Sequence, residues 1–237
     1  MGFPFGDSTF LFNFVVLLCA GATRYGGKAS LQKMKIFGIG MNYAEHNKEL
    51  HDTLLYKEPV VFTKADSALL TGGKPFFIPA YTQQCEYETE LVVRINHLGR
   101  SIPERFAHRY YDEVSVGIDF TARDLQNQLR SSGLPWDLCK GFDGSAVVGT
   151  WVPLTSLGGV QDLHFHLDIN GQTVQKGYSG DMIHSVDKVI SFISQYFTIK
   201  TGDIIFTGTP VGVGPVHIDD HLQGYLEDKP VLDFHVR

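Results

Sequence analysis

The sequence predicts a β-rich α+β fold in a single domain of about 200 residues that begins at Met34. From this methionine to the C-terminus, short apolar runs alternate with glycine-containing turns, which is the pattern of a strand-rich domain. The pair Asn170-Gly171 lies between two such runs and is a strong signal for a β-hairpin. The sequence contains no repeat, linker or low-complexity stretch. We therefore expect one domain over residues 34–237, preceded by an N-terminal extension over residues 1–33.

The predicted strands are short runs rich in β-branched and aromatic residues. In chain order they cover residues 35–39, 59–64, 76–79, 88–95, 114–120, 163–169, 173–176, 203–207 and 231–236. The run at 88–95 (ETELVVRI) gives the clearest strand signal. Thr71-Gly72-Gly73-Lys74 predicts a turn between the second and third strands.

Four segments have helical spacing. They cover residues 42–50, 103–112, 125–132 and 185–196. The last of them (SVDKVISFISQY) is amphipathic, and its apolar face consists of Val186, Val189, Ile190 and Ile193. The first (NYAEHNKEL) has polar faces, and Asn42 is its predicted N-cap.

Composition favours a globular protein of a reducing compartment. Hydrophobic residues make up 43% of the chain and aromatic residues 12%, so a sizeable core can form. The net charge is −6 and no basic cluster is present, so we expect neither nucleic acid nor a membrane surface as a partner. The three cysteines, Cys19, Cys85 and Cys139, are few, odd in number and far apart, which argues against a disulfide framework. We therefore expect a cytoplasmic location.

The N-terminal extension contains a 13-residue apolar run, Phe10–Ala22, which is too short to span a bilayer comfortably. Its length and the small residues Ala20-Gly21-Ala22 are typical of a signal peptide, but Asp7 precedes it and no lysine or arginine does. Met34 opens a segment (MKIFGIGMNY) that is typical of the first strand of an enzyme. Three interpretations of residues 1–33 stay open: an upstream extension or misassigned start, a signal sequence, and a packed element. None of them contributes catalytic residues.

Three glutamates alternate along the clearest strand. Glu86, Glu88 and Glu90 are spaced by two, which places their side chains on one face of a strand. Residues 91–93 are apolar, so this strand is expected to be buried, and burying several carboxylates without a cation costs several kcal/mol. Oxygen ligands favour Mg²⁺, with Mn²⁺ or Ca²⁺ as substitutes, over zinc. The alternative is an edge strand whose charges face water.

Two further segments are candidates for the same site. Asp119 ends an apolar strand and precedes a polar helix start at 121–126, where a carboxylate is suited to bind a metal. It could equally be a helix N-cap, a role that Asp124 would also fill. The loop Thr207–Pro210 and the glycines after it allow a ligand to approach the backbone closely, although the pattern also fits a simple turn.

His46 and Glu49 form the remaining candidate pair. At i and i+3 on a short helix they share a face and can hydrogen-bond, which would orient the imidazole as a general base. The alternative is a pair of surface residues without a catalytic role.

Six segments occur together in this order: GIGMNYAEHNKEL, EPVVFTK, YETELVV, GIDFTARDLQ, GLPWDLCKGFD and GDIIFTGTPVGVG. Together they resemble the catalytic domain of the fumarylacetoacetate hydrolase family, from about Met34 to the C-terminus. The GLPW segment and the short chain are most similar to the small single-domain members: acylpyruvases, oxaloacetate decarboxylases and hydroxyhepta-diene-dioate isomerases. The resemblance implies the mixed β-sandwich roll of the family's C-terminal domain, a bound Mg²⁺ and a homodimer.

The resemblance also implies roles for individual residues, carried over motif by motif. The implied metal ligands are Glu88, Glu90 and Asp119, and Glu86 falls outside the motif as a supporting or surface residue. The implied catalytic residues are His46, Glu49 and Lys140. The implied substrate-binding residues are Lys64, Arg123, Gln126 and Thr209. Met41 departs from the family pattern, in which arginine often precedes Asn-Tyr, and Ile218–Asp220 departs from a Gly-Asp turn.

The implied reaction is Mg²⁺-dependent hydrolysis of a C–C bond in an acylpyruvate through a metal-stabilised pyruvate enolate, with His46 activating the water. The same enolate would serve decarboxylation of oxaloacetate. Keto–enol or double-bond isomerisation, as in 2-hydroxyhepta-2,4-diene-1,7-dioate, needs only proton transfer. The sequence does not define the distal half of the small 2-oxo acid substrate, and that half decides among these reactions. The non-enzymatic alternatives are a catalytically silent protein that binds a metal or 2-oxo acid, and an exported protein.

Overall fold

The computed structural model describes residues 34–49 and 57–237. The apolar run Phe10–Ala22, Cys19 and the predicted helix end at Leu50 lie outside the described residues. The division of the chain at Met34 therefore stays a prediction.

The described residues form three β-sheets and five α-helices. The strands are β1 Ile36–Gly40, β2 Val60–Lys64, β3 Leu69–Leu70, β4 Cys85–Tyr87, β5 Thr89–Ile95, β6 Tyr111–Asp119, β7 Thr121–Ala122, β8 Ala146–Val148, β9 Val152–Pro153, β10 His164–Ile169, β11 Gln172–Tyr178, β12 Ile204–Phe206, β13 Gly214–Pro215, β14 His221–Leu226 and β15 Lys229–His235. The helices are α1 Ala44–Glu49, α2 Glu104–Ala107, α3 Arg123–Ser131, α4 Asp137–Lys140 and α5 Val186–Tyr196.

An eight-stranded mixed sheet forms the centre of the domain. Its order is β2-β1-β12-β5-β6-β8-β3, with β9 paired to β6. The pairs β1–β12 and β3–β8 are parallel, and the other pairs are antiparallel. Leu91, Val92 and Val93 on β5 are fully buried, as expected for a central strand covered on both faces.

A four-stranded sheet packs against this central sheet. Its order is β11-β10-β14-β15, and Phe165 and Leu226 from it share one core cluster with Val114 and Val116 of β6. The β10–β11 hairpin turns at Asn170-Gly171, where both residues have positive φ (53° and 78°), as a type I′ turn requires. The hairpin and the α+β roll of packed sheets predicted above are confirmed.

Helix α5 covers the other part of this core. The Ser185 hydroxyl accepts a hydrogen bond from the Lys188 backbone N–H at 3.1 Å, which caps the helix. The predicted apolar face is confirmed, because Val186, Val189, Ile190 and Ile193 are all buried.

The strand predicted through the three glutamates is interrupted. β4 ends at Tyr87 and belongs to a three-stranded sheet, β13-β4-β7, whereas β5 begins at Thr89 in the central sheet. Glu88 therefore stands at the point where the chain passes from one sheet to the other. The alternative of a solvated edge strand is wrong, because Glu86, Glu88 and Glu90 are all buried.

Tertiary contacts also overrode two local helix signals. The helix predicted over 103–112 is limited to Glu104–Ala107, because Tyr111 already pairs with Ile95 in the central sheet. Asn42 is not an N-cap. Its side chain donates to the carbonyls of His184 (3.0 Å) and Thr207 (2.8 Å) and accepts from the His184 N–H (2.7 Å), which ties three segments together.

Cys85 and Cys139 are free and buried, in agreement with the expected absence of a disulfide framework in the described part of the chain. Of the helices in the described ranges, none combines the length and the apolar character that crossing a membrane would require.

We predict that Gly117→Ala destabilises the domain by about 1–3 kcal/mol, the usual cost of overpacking a core. A Cβ at Gly117, in the middle of β6, would lie 2.7 Å from the Val147 carbonyl oxygen, and that backbone atom cannot move aside cheaply. Urea denaturation measures the change in the free energy of unfolding. The matched control is Gly158→Ala, where a Cβ would meet no atom within 4 Å. Equal stability of the two variants would contradict the packing argument.

Candidate metal centre and active site

The three predicted metal ligands meet at the end of two neighbouring strands. Glu88 stands at the β4–β5 junction, Glu90 lies on β5, and Asp119 is the last residue of β6. β5 and β6 are antiparallel, with Thr89 opposite Ile118, so the two ends come together. Each of the three carboxylates offers one oxygen, and these oxygens lie within 4.8 Å of one another. All three side chains are buried, with exposed fractions of 5%, 1% and 0%.

Two buried lysines contact this triad. Lys140, at the end of α4, places Nζ 2.6 Å from Glu88 Oε2, 2.9 Å from Asp119 Oδ2 and 2.7 Å from Thr121 Oγ1. Lys64, at the end of β2, places Nζ 2.6 Å from Asp119 Oδ1. Burial lowers the pKa of Lys64, although Asp119 acts in the opposite direction. For Lys140 burial also lowers the pKa, but Asp119 and Glu88 outweigh it and raise the pKa above its usual value.

Arg123, the first residue of α3, supports the triad from the other side. Its Nη2 lies 2.6 Å from Glu88 Oε1, and its Nε lies 2.7 Å from Glu86 Oε2. Its Nη1 donates to Gln126 Oε1 at 2.5 Å, so the oxygen of Gln126 is engaged within the protein. Glu86 is therefore a buried partner of Arg123 and lies outside the triad, as its place outside the family motif implied.

The buried cluster contains more negative than positive groups. Its carboxylates are Glu86, Glu88, Glu90 and Asp119, and its cations are Lys64, Lys140 and Arg123. Among the described residues, no lysine or arginine pairs with Glu90, whose Oε2 accepts a hydrogen bond from the Gly208 N–H at 2.6 Å. One carboxylate is thus left without a cationic partner.

The pKa shifts also single out Glu90 as the carboxylate without compensation. Burial raises the pKa of Glu90 well above its ordinary value, and the charges of Asp119 and Glu88 raise it further. Burial also acts to raise the pKa of Glu88, but Lys140 and Arg123 outweigh it and hold that pKa below its usual range. An all-oxygen donor set with one uncompensated buried charge fits a hard divalent cation.

The predicted His46–Glu49 pair forms on α1. His46 Nδ1 lies 3.0 Å from Glu49 Oε2, and Glu49 also accepts from the Gly212 N–H at 3.2 Å. A carboxylate only accepts hydrogen bonds, so the Nδ1–H of His46 is the donor, and Nε2 makes no hydrogen bond to the described residues. His46 is 5% exposed and lines the same cavity as Glu88, so it is not a surface residue, whereas Glu49 is exposed and the catalytic role of the pair stays a prediction.

The glycine-rich loop after β12 contacts the triad through its backbone. Gly208 has φ +100°, and a Cβ there would lie 2.7 Å from the Cβ of Asn42, so only glycine fits. Thr209 lines the cavity, but its hydroxyl donates to the Thr89 carbonyl at 3.0 Å and accepts from Gln175 Nε2 at 2.8 Å. The Thr209 hydroxyl is therefore already engaged within the protein, and its predicted contact with a substrate stays a prediction.

The cavity over the triad has a polar and an apolar side. Its polar lining consists of His46, Glu88, Arg123, Gln126, Arg130, Lys140 and Thr209. Its apolar lining includes Ile39, Met41, Phe62 and Trp136, and the rings of Phe62 and Trp136 lie 5.9 Å apart. The sequence analysis assigned no role to three of these residues, Phe62, Trp136 and Arg130. Phe62 belongs to the FTK segment and Trp136 to the GLPW segment. Met41 has a left-handed backbone (φ 60°), which is uncommon for a residue other than glycine.

Residues 35–237 match the family model described as Fumarylacetoacetate (FAA) hydrolase C-terminal. The mitochondrial oxaloacetate tautomerase of Mus musculus is 37% identical over 199 residues, which cover 84% of this chain and 90% of that protein. The corresponding enzyme of Arabidopsis thaliana is 38% identical over 205 residues, covering 86% and 92%.

The crystal structure of fumarylpyruvate hydrolase from Pseudomonas aeruginosa in complex with Mn²⁺ and pyruvate superposes with a TM-score of 0.81. It is 30% identical, and the match covers 90% of this chain and 93% of that one. The predicted fold is thereby confirmed. Since both the family model and these relatives match nearly all of the chain from Met34 onward, the protein is an enzyme of the fumarylacetoacetate hydrolase family.

Proposed function

We propose that this protein is a divalent-metal-dependent enzyme that interconverts the enol and keto forms of oxaloacetate or a closely similar 2-oxo dicarboxylic acid. The observation that carries the proposal is that His46 lines one cavity with Glu88, whose carboxylate belongs to the buried triad with Glu90 and Asp119. The similarity to oxaloacetate tautomerases from an animal and a plant supports the same reaction.

Glu88, Glu90 and Asp119 would hold the cation, and their oxygen donors favour Mg²⁺, with Mn²⁺ as a substitute. When bound there, the cation would supply a Lewis acid for the 2-oxo acid substrate. A divalent cation and a dicarboxylate carry opposite charges of equal size. Their joint binding therefore leaves the net charge of the buried cluster unchanged.

His46 is the proposed proton carrier. In the enol-to-keto direction C3 gains a proton and the C2 hydroxyl gives one up, so the reaction needs a group that holds a proton and no added water. Nε2 of His46 is free to exchange that proton because Glu49 fixes Nδ1–H. The carboxylate of Glu49 also stabilises the imidazolium that forms during the transfer.

Arg123 and Gln126 are the proposed substrate contacts, and Lys140 is the proposed electrostatic partner of the substrate. The oxygen of Gln126 is bound to Arg123, so its NH₂ group is the part that remains to donate to a substrate carboxylate. Lys140 lies between two of the carboxylates and would balance negative charge on the substrate oxygens. Lys64 is fully buried behind Asp119, so we propose that it acts through Asp119 and does not touch the substrate.

The second candidate is hydrolysis of a C–C bond in an acylpyruvate. It is favoured by the Glu49-oriented His46, which would equally activate a water, and by the match to a fumarylpyruvate hydrolase. The apolar side of the cavity, formed by Met41, Phe62 and Trp136, would then receive the acyl group.

The test uses protein stripped with EDTA and then supplied with Mg²⁺. Enol oxaloacetate is followed by the loss of its ultraviolet absorbance, and pyruvate release is measured from oxaloacetate and acetylpyruvate in parallel. Mg²⁺-dependent loss of the enol without pyruvate supports the tautomerase. Pyruvate from acetylpyruvate supports the hydrolase, and pyruvate from oxaloacetate supports decarboxylation. If the protein binds these acids but turns over neither of them, and does not turn over 2-hydroxyhepta-2,4-diene-1,7-dioate either, it is a catalytically silent binding protein.

We predict that Glu90→Gln abolishes the stabilisation by Mg²⁺ without lowering the stability of the metal-free protein. Among the described residues, the variant removes the one buried carboxylate without a cationic partner, so the metal-free variant should melt at or above the temperature of the metal-free wild type. Mg²⁺ should raise the melting temperature of the wild type, because it binds only the folded state, but not that of the variant.

Differential scanning calorimetry with and without EDTA measures both effects. The control is Glu113→Gln, which removes a carboxylate paired with Arg94 away from the triad and should keep the Mg²⁺ response. A Mg²⁺-induced shift of equal size in Glu90→Gln would show that the cation binds elsewhere.

We predict that His46→Gln lowers kcat by about 10²–10⁴-fold, the usual contribution of a general acid or base. Glu49→Gln should cause a smaller loss, because the imidazole remains but its tautomer is no longer fixed. The matched control is Glu45→Gln on the same helix, which removes an exposed i,i+3 pair with Lys48 and should leave kcat unchanged. Steady-state kinetics on enol oxaloacetate gives all three values, and full activity of His46→Gln would refute the role.

A further inference from the structure

We propose that Gln175 is a positioning residue that fixes the peptide between two metal ligands, Glu88 and Glu90. The inference rests on the proposed metal-dependent function and adds a residue from the second sheet, outside every motif that identified the site. Gln175 lies on β11, is 2% exposed and is the one buried residue of that strand.

The side chain of Gln175 closes a ring of three hydrogen bonds around Thr89. The Thr89 N–H donates to Gln175 Oε1 at 2.9 Å, and Gln175 Nε2 donates to Thr209 Oγ1 at 2.8 Å. The Thr209 hydroxyl then donates to the Thr89 carbonyl at 3.0 Å. Both backbone polar groups of the residue between Glu88 and Glu90 are therefore held by side chains.

This ring takes the place of a missing strand. On this side of β5, β12 ends at Phe206, opposite Val92, and the last backbone contact is from the Thr207 N–H to the Leu91 carbonyl at 3.2 Å. No strand of the described chain reaches Thr89 on that side. A buried N–H and a buried carbonyl without partners would each destabilise the fold, and the two side chains satisfy both.

A β-bulge directs Gln175 into the ring. The register of β10 with β11 passes from Leu167–Gln175 to Asp168–Thr173, so Val174 is an extra residue without a partner. Bulges of this kind re-aim a side chain. Here Thr173 and Val174 are exposed while Gln175 points inward.

Only an amide meets all the requirements at this position. Oε1 accepts from Thr89, and the two hydrogens of Nε2 go to Thr209 Oγ1 and to the Pro210 carbonyl at 2.8 Å. A glutamate would lose both donors and add a further negative charge beside a cluster that already has an excess of carboxylates.

The test measures the Kd of Mn²⁺ alone by electron paramagnetic resonance. Gln175→Met keeps the size of the side chain and removes its hydrogen bonds, and it should weaken Mn²⁺ binding by about 10–100-fold, as losses of supporting contacts around a metal typically do. The matched control is Gln161→Met. Gln161 also bridges two backbone groups, accepting from the Val186 N–H at 2.7 Å and donating to the Ser179 carbonyl at 2.8 Å, but it lies outside the site.

A second pair of variants keeps the test valid if Gln175→Met does not fold. Thr209→Val breaks the ring and should weaken Mn²⁺ binding, whereas Thr209→Ser keeps the hydroxyl and should restore it. Unchanged Mn²⁺ affinity in Gln175→Met or Thr209→Val, or an equal loss in Gln161→Met, overturns the positioning role. Failure of the wild type itself to bind Mn²⁺ is a different result, and it removes the proposed function together with this inference.

Discussion

The structure depends on the burial of four carboxylates beside the central sheet, which is energetically unfavourable unless each charge is compensated. Glu88 and Asp119 are compensated by Lys140, Lys64 and Arg123, but Glu90 is held only by a backbone N–H within the described chain. Removing one partner of a buried ion pair is far more damaging than leaving the pair out altogether. The ion pairs of Glu88 and Asp119 are therefore stable only as a set, whereas Glu90 is the carboxylate that a bound divalent cation would compensate.

The architecture around the cluster follows from this constraint. The chain passes from the three-stranded sheet to the central sheet at Glu88, so this carboxylate stands where strand pairing is interrupted, whereas Glu90 and Asp119 lie on paired strands. Side chains replace the missing backbone partners: Asn42 ties the start of α1 to the loop after β12, and Gln175 with Thr209 holds Thr89. These side chains thus satisfy the backbone beside the site where the strand ladder ends.

The same arrangement separates the two tasks of the site. The buried cations and carboxylates form one side of the site, whereas His46 and Glu49 lie on a six-residue helix. Glu49 is itself held by the Gly212 N–H from the glycine-rich loop, so the loop that contacts Glu90 through Gly208 also orients the base. The proposed metal site and the proposed proton carrier are thereby linked through one short segment of backbone.

The sequence by itself determined the strand-rich fold, the Asn170-Gly171 hairpin and the amphipathic helix ending at Tyr196. These features depend on local chemistry, namely side-chain periodicity and turn propensity, whereas the set Glu88, Glu90 and Asp119 was implied by the family resemblance of the short motifs. The tertiary structure decided what depends on contacts distant in sequence. The break at Glu88, the bridging role of Asn42 and the ring through Gln175, 86 residues from Thr89, exist only because separate sheets meet there. No local pattern carries that information.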